Sequence, residues 1–175
     1  LVSLFLTLKI YFMNLYTEEE KIRISKLQEA NDKFENLFND KRKEWTDLIN
    51  PLFEVIKENF TQTNFIKIID AQSQALSFRQ TINEQISYFL NKRSIEDVKL
   101  KKLRQEKFVF YATGFGLKTN LGEKSLLIDA HIAENERMIQ LIENYIEFLR
   151  SSSKNLESLA FTIKNIVELM NYLGR

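Results

Sequence analysis

The sequence predicts an all-α protein, and three observations do so. One proline and four glycines in 175 residues leave few places to turn, whereas a sheet protein needs turn residues roughly every 8 to 12 positions. Apolar side chains recur at three- and four-residue spacing over long stretches. The composition, 44% apolar and 28% charged with much Lys, Glu, Leu and Ile, is that of amphipathic helices. The architecture expected is a set of long amphipathic helices with a glycine-containing hinge, gathered in an oligomeric helical assembly.

Residues 1–16 are strongly apolar but too short for a membrane span of about 20 residues, and Lys9 interrupts them. Met13 directly precedes well-patterned sequence, so translation is expected to start there and residues 1–12 to be an apolar leader that is not translated. A weak membrane anchor is the alternative reading of that leader. Residues 13–60 are expected to form an N-terminal helical extension and residues 61–175 the main helical domain. No membrane association is expected, and the absence of cysteine fits a reducing cytoplasmic compartment.

Thr17-Glu-Glu-Glu20 reads as a capping box that starts the first helix. Leu27, Ala30, Phe34, Leu37 and Leu48 give that helix an apolar stripe to about Ile49, with Phe38 and Trp45 beside it. Asn50-Pro51 then predicts a break, with a short second helix over Leu52 to Phe60. After the polar Thr61-Gln-Thr-Asn64, a third helix is expected from Phe65 to about Asn91, and Ser94 with Asp97 caps a fourth. The fourth runs into Phe108-Val-Phe-Tyr-Ala-Thr-Gly114, where helix and short strand paired with Ser125 to Ile128 both fit the pattern. From Ala130 to Leu173 an unbroken heptad predicts one helix of 44 residues, about 66 Å long. Its seam, Ile139, Ile142, Ile146, Leu149, Leu156, Ile163, Val167 and Met170, is expected to join subunits.

The chain offers no catalytic constellation. With no cysteine and His131 as the one histidine, it lacks partners for a triad or a His-based metal site, so no cofactor is expected and His131 is assigned to packing. Gly114-Phe-Gly-Leu-Lys-Thr119 is not a phosphate-binding loop, because Leu117 separates glycine from lysine.

Binding chemistry is concentrated instead. Residues 92–124 hold nine Lys or Arg against four Asp or Glu, a local charge of +5 in a chain of net +1. Cations neutralise phosphates while planar rings stack on unpaired bases, so this segment predicts single-stranded nucleic acid as partner. The cations proposed for the backbone are Lys92, Arg93, Lys99, Lys101, Lys102, Arg104, Lys107 and Lys118. Tyr111 and Phe115, beside the glycines, are the stacking candidates, with Phe108, Val109 and Phe110 read equally as core. A solvated helix face on a structural scaffold protein is the competing reading of the same charges.

Several segments then share an order. Phe161-Thr-Ile-Lys-Asn165, Tyr145 to Leu149, Leu127-Ile-Asp129, Tyr111-Ala-Thr-Gly114 and Phe89-Leu-Asn-Lys-Arg-Ser94 together resemble, over Asp70 to Gly174, the UvsY-type recombination mediators of tailed phages. The family's Lys-x-Arg pair ahead of the tyrosine hinge falls on Glu106 and Phe108, so Arg104 and Lys107 would have to substitute. The resemblance implies a non-enzymatic accessory protein that forms a ring-like homo-oligomer and binds single-stranded DNA. It implies two further partners, a RecA-like recombinase and the single-strand-binding protein that the recombinase displaces.

Overall fold

The computed structural model describes residues 17–57, 65–113 and 121–173, and every one of them except Thr17 is helical. Three helices account for this: α1, Glu18–Lys57; α2, Phe65–Thr113; and α3, Leu121–Leu173. The protein is all-α. The glycines at 114 and 116, with Phe115 and Lys118, lie outside the described residues, as do residues 1–12.

The capping box forms as the sequence predicts. The Glu20 amide donates to Thr17 Oγ1 at 3.2 Å and the Thr17 amide donates to Glu20 Oε2 at 3.0 Å. Two predicted breaks do not occur. Asn50-Pro51 does not end α1, which carries Pro51 inside it. Trp45, Ile49 and Leu52, at four- and three-residue spacing around the proline, are all buried, and that burial offsets the roughly 3 kcal/mol an interior proline costs. Nor is α2 interrupted at Asn91 to Ser94: its half-buried row continues through Phe89, Arg93, Glu96 and Leu100. Two members of that row are charged, which hides the helical period from a reading of apolar residues.

Residues 108–112 are helical, so the strand alternative is excluded, and α3 begins at Leu121 rather than Ala130. The buried stripe of α1 also differs from the expected one. Phe34, Leu37 and Leu48 are exposed, while Asn31, Phe38, Trp45 and Leu52 are buried at intervals of seven.

Two compact units divide the chain, and each takes a segment from all three helices. The first contains the start of α1 to Asn36, the end of α2 from Arg93 and the start of α3 to Leu141. Within it α1 and α3 run in the same direction: Gln28 and Asn31 reach Glu134, while Asp32 and Glu35 both accept from Arg137 at 2.8 Å. Asn31, fully buried, donates through Nδ2 to the Glu134 carbonyl at 2.9 Å and to its carboxylate at 2.8 Å. Its core gathers Tyr111, Leu127, Ile128 and Ile132, with Leu100 and Leu103 against them.

The second unit holds Leu37 to Lys92 and Ile142 onward. Here α2 runs opposite to α3, with Gln72 at Ala160, Arg79 at Glu157 and Asn83 at Ser153. An aromatic cluster marks its core: the Phe38 ring stacks on Tyr145 at 4.6 Å, and Phe89 meets both edge-on at 5.5 and 5.1 Å. Each such pair contributes about 0.5 to 1.5 kcal/mol beyond burial. Trp45 Nε1 donates to Gln85 Oε1 at 3.3 Å, which gives the indole a partner.

The heptad of α3 is real, and from Ile139 to Ile163 it is covered by the chain's own helices. Ile139, Ile142, Ile146, Leu149, Leu156 and Ile163 are all buried within the single chain, and Val167 and Met170 are half-buried. The six buried side chains form the seam on which the chain's own helices pack, which leaves them no open surface for another subunit. The helix continues through Ser151 to Ser153, where the Ser153 hydroxyl donates to Asn83 Oδ1 at 2.9 Å.

Candidate nucleic-acid interface

The end of α2 orders its side chains by helical period. Leu100, Leu103, Lys107 and Tyr111 follow one another at three- and four-residue spacing and point inward; the rest of the segment faces solvent. This sorts the predicted site residues into distinct environments.

Tyr111 is 4% exposed and belongs to the core, so neither face of its ring is open to a base. Its hydroxyl lies 2.5 Å from His131 Nε2, with His131 itself buried on α3. Lys107 turns inward as well. Its ammonium pairs with Glu20 Oε1, the two side chains being only 14% and 20% exposed. The same carboxylate thus caps α1 and holds α2, and it lies 4.0 Å from His131 Nδ1. Burial works against the charge on Glu20, but the Lys107 hydrogen bond and the Thr17 amide outweigh it and keep the carboxyl below its ordinary range. Burial pushes His131 down from 6.5 to about 4, with the Lys107 charge adding to the effect and Glu20 opposing it. Tyr111 and Lys107 are therefore structural, a correction to their assignment as DNA contacts.

Other predicted cations are partly committed. Arg93 pairs with Asp97 at 3.8 Å and Lys99 with Glu96 at 2.7 Å, each within α2. Arg104 reaches across to α3, 2.9 Å from Glu136 and 3.5 Å from Asp129. Lys92, Lys101 and Lys102 are exposed and make no ion pair among the described residues. Phe115 and Lys118 lie outside those residues.

Two residues complete the surface, Phe108, which the sequence reads equally as core, and Lys124, which it does not single out. Phe108 is 53% exposed rather than core, and Lys124, in the first turn of α3, makes no ion pair among the described residues. The signal for Phe108 is present in the sequence, since Lys101, Arg104 and Phe108 stand at i, i+3 and i+7 and so share a face of α2. Phe110 is also largely exposed, with the Lys107 ammonium 5.5 Å from its ring centre.

Among the described residues no cluster of three or more His, Cys, Asp or Glu has the arrangement of a metal site. No described helix is long and apolar enough to cross a membrane. The arrangement offers exposed cations for an anion and an exposed ring for stacking. No known family model matches the chain, and no curated protein or solved structure is detectably similar to it.

Proposed function

We propose that the protein is a non-enzymatic recombination mediator that binds single-stranded DNA and assists a RecA-like recombinase to replace single-strand-binding protein. The observation that carries the DNA reading is the outer surface of α2, where Lys101 and Lys102 are exposed and make no ion pair among the described residues, and Lys101 shares a helical face with the exposed ring of Phe108. Cations for phosphates and a ring for an unpaired base are the two elements that sequence-independent single-strand binding requires. The recombinase and single-strand-binding protein enter through the resemblance to UvsY-type mediators alone.

Anisotropy of a labelled oligothymidine, titrated with salt, tests this reading. Replacing Lys101 and Lys102 together by Ala removes two phosphate contacts and is expected to reduce the log-log salt slope by about 1.4. No binding by the wild-type protein at low salt, or an unchanged slope in the double variant, refutes it.

A scaffold protein without nucleic-acid function is the second reading, favoured by one observation. Ile66, Ile69 and Leu76, at i, i+3 and i+10 of α2, are 69%, 40% and 50% exposed. We place the proposed homo-oligomer contact on that row, now that the α3 seam is filled. A drop in mass by light scattering on Ile69→Asp, in a protein that binds no DNA, supports this second reading.

A further inference from the structure

The first unit contains a cavity of about 390 Å³ between the end of α2 and the first turns of α3. That volume lies within the range of small-molecule sites, roughly 300 to 1,000 Å³. Phe108 and Ile128 supply apolar wall, Arg104 and Lys124 supply cations, and Ser125 and Asp129 supply hydrogen-bonding oxygen.

The charges are not equivalent. Arg104 is engaged by Glu136 and Asp129, so its role at the cavity is to fix the Asp129 carboxylate in place. Lys124 makes no ion pair among the described residues and is the cation available to an incoming anion. A site with a half-exposed ring, one available ammonium and one oriented carboxylate discriminates between ligand classes. A divalent cation would meet a single carboxylate flanked by two positive groups. A wholly apolar ligand would strip water from Lys124 and Asp129 without replacing their hydrogen bonds. A nucleotide uses all three: its base has a face for Phe108 and N–H donors for Asp129, and its phosphate takes Lys124.

We infer that this cavity is a base pocket, in which one unpaired base of the bound strand stacks on Phe108, offers an N–H to Asp129 and leaves its phosphate at Lys124. The pocket deepens the DNA-binding reading proposed above and rests on it. Lys101, on the same face as Phe108 and without an ion pair among the described residues, leads the strand toward the cavity.

The test compares the full-length protein's affinity for an oligothymidine and for an abasic oligonucleotide of equal length, at one ionic strength. Both carry the same phosphates, so the difference reports base contact. The wild type is expected to prefer the oligothymidine by about 5- to 150-fold, the span of a single stacking interaction. Phe108→Ala should abolish that preference while leaving abasic affinity, salt slope and helicity unchanged, and Phe108→Tyr should restore it. Lys124→Ala should lower the salt slope on both oligonucleotides by about 0.7. Binding of both without preference, or a preference that survives Phe108→Ala, overturns the pocket and leaves DNA binding standing. No binding of either oligonucleotide overturns the DNA reading itself, and the pocket with it.

Discussion

Protonation of His131 is expected to weaken the fold between neutral pH and about pH 4, and the environment of the ring fixes both sign and size. The imidazole is buried, with Lys107 and Tyr111 facing it from α2 and Glu20 and Arg23 from α1. In the folded protein its pKa is about 4, against 6.5 when unfolded. Between those values the unfolded chain binds more protons than the native one, so stability falls as pH falls, and the loss levels off below about 4. The gap corresponds to about 3 kcal/mol, of which about 2 is lost by pH 5. Glu20, also depressed, contributes stability that is present above its unfolded pKa and disappears as pH falls through its folded value; it titrates below most of the histidine window.

The assay is urea denaturation followed by far-ultraviolet circular dichroism from pH 7 to 4. His131→Gln retains an acceptor for the Tyr111 hydroxyl but does not titrate, so it should remove most of the dependence above pH 4.5. Because the chain has one histidine, its ring proton resonances need no assignment and report the folded pKa directly. A midpoint near 6.5 in the native protein, or a glutamine variant with the wild-type pH profile, refutes the reasoning.

Two further outcomes follow from the packing. Ile146→Ala empties part of the second unit's core and should cost about 2 to 5 kcal/mol in chemical denaturation, with no change of mass by light scattering. Lys107→Ala leaves the Glu20 carboxylate largely buried without its cation and should cost about 3 kcal/mol, while the salt slope for oligothymidine stays at the wild-type value.

The residues that were legible in the sequence were those whose pattern admits one physical meaning. The Thr17 capping box is local and self-contained, and it forms as read. The heptad of α3 identified its buried positions correctly from Ile139 to Ile163, but periodicity marks a face to be covered and carries no information on whether the cover is another helix of the same chain. Buried rows containing a polar member were misread, because Asn31 in α1 and Arg93 and Glu96 in α2 break the apolar rhythm without breaking the helix. Lys107 and Tyr111 were misassigned for a related reason. Charge and proximity to glycines suggested solvent, while the row Leu100, Leu103, Lys107, Tyr111 places them inward. The cavity beside Phe108 was not legible at all, since it depends on α3 starting at Leu121.

The division of every helix between two units has a consequence for how the chain comes to fold. Neither core is encoded by a continuous stretch of sequence: in the first unit Gln28 finds Glu134 and Asp32 finds Arg137 across more than a hundred residues. A ribosome must therefore deliver most of the chain before either core can close, and loop-closure entropy makes this helical protein slower to fold than bundles with local contacts. The same topology defeats dissection by truncation. A fragment cut within any of the three helices loses part of one core or both, so the exposed surface of α2 is best studied by point substitution in the full chain.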